Sequence, residues 1–545
     1  MAEFDYIIVG AGSAGCVLAD QLSKDGTSTV LVLEAGGSDR SFWIRTPIGY
    51  GRTFFDPRIN WMYETEVDPN TGSRTSYWPR GKVVGGSGSI NALIYCRGMP
   101  GDFADWEKLG ATGWGWDAAR AHYEAIETRI DEDGNASGGG PLYVTNVKRE
   151  IHPCNRHYFA MAREMGLPVT EDCNGPNPEG VTHYRITTKG GRRWSSADAF
   201  LKPALKRRNV RLVTNAMVER IDMRGGRAAG VSVLLAGGRQ QFRARKEVIV
   251  SAGAVNSPKL LQMSGIGPGE LLSGMGIEIV RDNANVGGNL QDHLGINYYY
   301  KATEPTLNSM LSPWWGKLFQ GMRYVLFRRG PLGLSVNQCG GFVRSRAGLD
   351  RPDQQLYLNP VTYTTSPSNK REIINPDPFA GFILSFQPSR PSSRGRIDIR
   401  SKDPAAAPRI VPNYLSTQQD LDDVVASGRL IQRMARTAAI RAFTREAMAP
   451  DIEHLDDGAI LEDFRQRCGS VFHPVSTCRM GHSEATAVVD HNLKVFGVEG
   501  LRVADASAFP NITSGNTNAP TIMLAHRAAS LILQDRPRGP VPIQT

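Results

Sequence analysis

Tyr6-Ile-Ile-Val9 and Val30-Leu-Val-Leu33 are short, continuous apolar runs. That is the pattern of strands buried on both faces of a parallel sheet. The residues between them predict a helix from about Ala14 to Ser23. Lys246–Ala252 repeats the strand pattern, ends in small residues, and precedes a predicted helix over Ser257–Ser264. Asn209–Val213 is rich in strand formers, Gly500–Ala506 reads as another strand, and Thr521–Leu533 as a closing helix. From about 300 to 465 the texture changes to proline-rich loops, polar helices and short alternating strands at Phe382–Phe386 and Arg396–Ile399. Asp131–Gly140 reads as a flexible surface loop. The fold class expected is α/β, or α+β overall, with a Rossmann-like domain and a discontinuous second domain built on an antiparallel sheet flanked by helices.

The turn after the first strand is Gly10-Ala-Gly12-Ser-Ala-Gly15, and the second strand ends at Glu34. This is a dinucleotide-binding fingerprint with strand, helix and terminal acid in register. Gly10 allows the tight turn, Gly12 lets the backbone approach a pyrophosphate, and Gly15 lets the helix pack closely. The helix start offers free N–H groups to phosphates. Glu34 suits a ribose with a free 2′-hydroxyl, hence FAD or NAD rather than NADP. The nucleotide domain is expected over 1–145, 195–300 and 466–545, and the second domain over 146–194 and 301–465.

Composition narrows the partners. The 545 residues are 41% hydrophobic and 21% charged, as in globular proteins. A net charge of +9 from 63 basic and 54 acidic residues is mild at this length. The basic stretch Lys202–Arg211 is interrupted by apolar residues and reads as a solvated face, so no nucleic acid is expected. An anionic membrane surface stays open as a peripheral contact. No apolar run is long enough to span a bilayer, and the fingerprint starts at residue 4, so a cytoplasmic location is expected. The seven cysteines are scattered without a CxxC, which argues against disulfides. His473, Cys478 and His482 have metal-like spacing but lack a fourth ligand, and no metal is expected.

Longer blocks carry a family resemblance. Gly81–Asn91, Gly253–Gly267, Asn285–His293, His473–Gly481, Asp505–Pro510 and Gly515–Met523 together make the chain resemble the glucose–methanol–choline oxidoreductases, nearest the choline-dehydrogenase-like branch. The resemblance implies an FAD domain and a substrate domain whose sheet faces the flavin. It implies that Gly10, Gly12, Ser13, Ala14, Gly15, Glu34 and Ala35 hold the nucleotide half of FAD, with Val218 and Ala252 beside them. It also implies that Val83, Gly85, Gly86, Ser87, Asn91, Ala92, Leu93, Ile94, Asp505, Ala506, Ala519, Pro520 and Thr521 bind FAD. Small residues at 85–89 leave backbone amides facing a flat ring. Pro520 suits a first helical turn, whose N–H groups can stabilise negative charge on reduced flavin.

For catalysis the resemblance points to His473 as the base that takes the alcohol's hydroxyl proton while hydride leaves carbon for flavin N5. The family's second catalytic position, His or Asn, registers here on Asn518, and Asn516 reads as a helix cap or flavin contact. Relatives that attach FAD covalently do so through a His just before the signature Asn; Ile90 stands there, so FAD is expected to be non-covalent. The carboxylate that choline oxidases hold against the trimethylammonium group registers on Gln338, which favours a neutral primary alcohol over choline or another amino alcohol. Val336, Cys339, Trp314 and Trp315 are candidates for an apolar pocket beside Gln338; the tryptophans read equally as core or an oligomer contact. The reduced enzyme would pass electrons to oxygen, a quinone or a redox protein. A non-oxidative flavoenzyme, lyase or photodecarboxylase, and a non-catalytic nucleotide-binding protein are the competing readings.

Overall fold

The computed structural model describes residues 2–363 and 375–535. Its first layer is a seven-stranded sheet. Ala2–Val9 pairs in parallel with Val30–Leu33, which pairs in parallel with Val210–Val213. On its other side Ala2–Val9 meets the long strand Gly238–Val250, which takes Leu501–Val503 as a further parallel neighbour. Arg227–Leu235 and Met217–Arg224 extend the long strand as an antiparallel meander. The strand order reverses at Ala2–Val9, so a crevice opens at its carboxyl end. Gly10 has φ +102°, and a Cβ there would lie 2.5 Å from Ser251 O. A Cβ on Gly15 would lie 1.9 Å from Gly10 O, so the helix Ser13–Ser23 can sit this close only with glycine.

The second layer is a six-stranded antiparallel sheet: Cys339–Val343, Gln354–Asn359, Gly381–Pro388, Leu294–Ala302 and Thr444–Ala447, with Gly469–Ser470 joined to the end of Leu294–Ala302. The helix Gln418–Ala435 covers it through Val424, Leu430, Ile431 and Met434, which share one buried cluster with Leu356, Leu384 and Phe386. A separate cluster surrounds the parallel sheet. The boundary expected at 300 falls inside Leu294–Ala302, a central strand of the antiparallel sheet.

Two elements differ from the sequence reading. Within Asp131–Gly140, Ala136–Gly138 forms an edge strand on Glu127–Ile130, closed by Asp131 accepting from the Asp133 and Asn135 amides. Its residues are all exposed, so no hydrophobic alternation marks it. The helix placed at Ser257 starts at Gly253 and runs to Met263 through Pro258. Proline cannot donate to the Ala254 carbonyl four residues back. The Thr477 hydroxyl donates to it instead, at 2.6 Å.

Candidate active site

An elongated cavity begins at the crevice. Glu34, Ala35, Ala216 and Val218 line it where the second strand ends, and Gly10, Gly12, Ser13, Ala14, Ala252, Asp505 and Ala506 line it beside the glycine-rich turn. Gly86, Ser87, Ile90, Asn91, Ala92, Leu93 and Ile94 line it with Phe54, Trp61, Arg80, Phe472, His473, Asn516, Asn518 and Thr521.

The nucleotide part fits an ADP moiety. The helix Ser13–Ser23 starts at Gly12 with no side-chain cap, so its first-turn amides are left for a ligand. The two glycine loops meet backbone to backbone: a Cβ on Gly86 would lie 2.7 Å from Gly12 Cα. Glu34 accepts from the Ala11 and Gly36 amides at 2.9 and 2.8 Å. Burial nonetheless pushes its carboxyl up to about 7, against those two bonds. Its remaining lone pairs suit ribose hydroxyls. Asp505 also lines the cavity, but its carboxylate is engaged by the protein, accepting from the Gly253 and Ser507 amides and the Ser257 hydroxyl.

Other residues read as cofactor contacts act from behind the wall. Gly15 packs on Gly10 O, and Val83 is buried with Ile44 and Ile90. Gly85 turns the loop at φ +87°, and Ala519 and Pro520 are buried inside the helix Asn518–Gln534. Buried Arg193 braces the flavin-side loop, donating to Gly88 O, Asn91 Oδ1 and Asn91 O.

Strand pairing places His473. Gly469–Ser470 pairs with Leu294–Gly295, and Val475 exchanges backbone hydrogen bonds with Gln291. Between these anchors Phe472 takes φ +70°, and His473 faces the Asp292–His293 dipeptide. Asp292 accepts from the His473 amide at 2.7 Å, from Tyr414 Oη at 2.6 Å and from Ser470 Oγ at 2.5 Å. His293 Nδ1 lies 3.1 Å from His473 Nδ1, and His293 Nε2 lies 2.9 Å from Ser389 O.

This chain of contacts fixes both tautomers. A carbonyl only accepts, so His293 carries its proton on Nε2. Burial pushes its pKa down to about 4, so the ring is neutral and its Nδ1 is an acceptor. His473 therefore donates from Nδ1, and its Nε2 carries the lone pair. Burial first, then His293 and Arg80, push the His473 pKa well below the usual histidine range, so Nε2 is an unprotonated base at neutral pH. Asn516 Nδ2 donates to that nitrogen at 3.0 Å, while Gln355 Nε2 donates to Asn516 Oδ1 at 3.2 Å and fixes the amide.

Three expectations need correction. The asparagine beside His473 is Asn516. Asn518 instead accepts from Ser13 Oγ at 2.7 Å, tying the last helix to the first. The spacing of two asparagines, 516 and 518, around a helix start gave no means of choosing between them; Thr517 is the cap residue, and Asn516 is free to face the base. Gln338 and Cys339 are not in the cavity wall: Gln338 is buried, accepting from the His152 amide and Asn155, and Cys339 is a buried strand residue. Val336 is likewise core, and Trp314 and Trp315 are 77% and 60% exposed on a surface helix. The sequence reading missed His293 and Asp292 as partners of His473, although the block containing them was noticed. It also missed Gln355, which no local pattern marks, and Arg80, which lines the cavity near His473.

The comparisons agree with this arrangement. The GMC oxidoreductase family models match residues 4–295 and 391–525. The chain is 40% identical over 542 residues to an oxygen-dependent choline dehydrogenase of Vibrio vulnificus, covering 99% of this chain and 96% of that one. It is 38% identical to an alcohol dehydrogenase [acceptor] of Pseudomonas putida, covering 97% and 96%. Pyridoxine 4-oxidase from Mesorbium loti superposes with TM-score 0.86 at 28% identity over 98% of this chain and 100% of that chain. Formate oxidase superposes with TM-score 0.91 at 26% identity over 98% of each. With both family models matched, near-complete relatives in hand, and a nucleotide crevice running up to a buried imidazole, the chain belongs to the GMC oxidoreductases, FAD-dependent enzymes acting on alcohols.

Proposed function

We propose that the protein oxidises a neutral primary alcohol to the aldehyde, with His473 Nε2 as the base and Asn516 as the oxygen-holding partner. Bound FAD supplies the two-electron acceptor. The observation that carries the reading is the path from Ser389 O through His293 to His473, which leaves one unprotonated nitrogen facing the cavity. The substrate hydroxyl binds between His473 Nε2 and the Asn516 amide. His473 takes the proton, Asn516 N–H holds the negative charge that develops on oxygen, and Gln355 keeps that amide facing the right way. The imidazolium formed is stabilised from behind, because His473 Nδ1–H already donates to His293. We assign nucleotide contacts to Gly12, Ser13, Ala14 and Glu34, and flavin-side contacts to Gly86, Ser87, Asn91–Ile94, Asn518 and Thr521. We divide the chain as expected above, with Leu294–Ala302 moved to the substrate domain. Non-covalent attachment rests on Ile90, which cannot form the bond.

The neutral substrate is favoured by charge. The acids lining the cavity are Glu34, Glu219 and Asp505; beside His473 the charged group in the wall is the Arg80 guanidinium, which donates to Phe472 O at 2.6 Å, while the Asp292 carboxyl stands behind the wall, accepting from the His473 amide, Tyr414 and Ser470. A quaternary ammonium would meet this cation without a counter-charge in the wall. Trp61 already stacks on Tyr63, and Lys82 Nζ sits 4.8 Å from its ring centroid. The second reading, oxidation of choline or another amino alcohol, is favoured by the choline dehydrogenases among the relatives. An anaerobic screen of flavin bleaching with straight-chain alcohols and with choline separates the two, and re-oxidation by air or by a quinone identifies the acceptor. A cytoplasmic location suits seven free, buried cysteines. Among the described residues no helix is long and apolar enough to cross a membrane.

A further inference from the structure

The helix Trp314–Phe327 is built the wrong way round for a helix facing water. Gly316, Gln320 and Tyr324, spaced four apart, form the stripe buried against the protein. Trp314, Trp315, Leu318, Phe319, Met322 and Leu326 face outward, each between 49% and 77% exposed. At about 100° per residue these six share one arc of about 140°. Phe42, 48% exposed, carries the apolar surface onto the neighbouring segment and meets Tyr324 ring to edge at 6.4 Å. A continuous patch of this kind marks a contact surface.

Charge decides the occupant. Lys317 and Arg323, both exposed, lie on the two edges of the apolar arc, and Arg328 and Arg329 follow at the helix end. Residues 314–330 contain no Asp or Glu. Two copies of the chain meeting through this face would press like-charged rims together. An anionic lipid surface offers the opposite charge to the rim and an apolar layer to the arc. Lysine and arginine can keep their charges at headgroup level while their stems follow the apolar surface down. Paired tryptophans at the helix start suit the same boundary.

We propose that Trp314–Phe327 seats the protein on an anionic membrane surface, lying in the interface plane with its apolar arc in the headgroup–acyl boundary. The seat is independent of the catalytic assignment. It also sits behind the candidate catalytic cavity: Leu307 and Leu311, which precede this helix, and Val336, which follows it, share one buried cluster with Phe54 and Leu93 of the cavity wall.

The test is flotation of the FAD-loaded, full-length protein with vesicles. It should float with vesicles of equal parts phosphatidylcholine and phosphatidylglycerol, float less with phosphatidylcholine alone, and lose the difference as salt rises. The double substitution Leu318→Glu/Leu326→Glu should lower partition onto the mixed vesicles at least ~10-fold. Its anaerobic flavin reduction by a water-soluble alcohol should not change. Brominated lipid should quench the wild-type tryptophan fluorescence, and less so in Trp314→Phe/Trp315→Phe. No flotation on the mixed vesicles overturns the proposal, as does flotation unaffected by the two glutamates. A concentration-dependent dimer abolished by them also overturns it, since a second copy would then cover the face.

Discussion

At the scale of single residues, the proposed base, His473, is held in one protonation state by other side chains. His293 holds its Nδ1 proton, Asp292 holds its backbone, and Arg80 discourages a positive charge. The pH dependence follows with its sign. A histidine whose folded pKa lies below the ordinary value of 6.5 stays unprotonated through neutral pH. The rate of flavin reduction should therefore be flat near pH 7 and fall only on the acid side of 6.5. His293→Phe removes the acceptor for Nδ1–H. It should slow reduction about 5- to 10-fold, the scale of one neutral hydrogen bond. An unchanged rate in stopped-flow reduction would remove His293 from the account. The two asparagines should separate cleanly. Asn516→Ala should slow reduction by roughly 10²-fold, the cost of losing an oxyanion donor, while Asn518→Ala chiefly loosens the helix starts at the cofactor. A slow Asn518→Ala beside a fast Asn516→Ala would restore the pairing first read from the sequence. That choice was not legible: both residues flank one helix start, and only the fold of the preceding loop decides which faces the imidazole.

Elements were legible where burial writes a pattern. Val30–Leu33 and the end of Gly238–Val250 are apolar because both sheet faces are covered, and the glycine after Val9 marks a turn where the fold leaves no room for a Cβ beside Ser251 O. The edge strand Ala136–Gly138 buries nothing and left no trace. Gln338 was misplaced because its side chain turns into the protein, accepting from the His152 amide and Asn155, and no local pattern separates that from a place in the cavity wall. The strand-to-helix unit ending at Glu34 makes its own prediction. Burial raises the Glu34 carboxyl from 4.5 to about 7 in the FAD-free protein. The protonated form is then favoured by folding, a contribution present below 4.5 and lost as pH rises through about 7. Ribose hydroxyls need the ionised acceptor, so FAD affinity of the apoprotein should weaken as pH falls from about 7 towards 4.5. Glu34→Gln should flatten that slope, and Glu34→Ala should cost about 1.5–3 kcal/mol of FAD binding. Titration of apoprotein with FAD across pH checks both; an identical slope in Glu34→Gln would mean another group titrates.

At the scale of the whole molecule, the site is made where the two sheets are stitched together. Leu294–Ala302 belongs to the antiparallel sheet, yet the residues just before it, Asp292 and His293, support a base carried on the segment that leads back to the parallel one. The flavin is expected to lie along that seam without a covalent link, so acid precipitation should release all of the yellow colour as FAD; flavin left on the polypeptide would contradict the role given to Ile90. With Arg80 as the charge beside the base, straight-chain primary alcohols should reduce the enzyme with kcat/KM at least ~10-fold above choline. The most direct test of the central claim is anaerobic stopped-flow reduction of FAD-loaded His473→Ala by the best alcohol of that screen. The account predicts normal FAD content and reduction at least ~10²-fold slower than wild type, the scale of a lost general base. Reduction at the wild-type rate would contradict it and place the base elsewhere in the cavity.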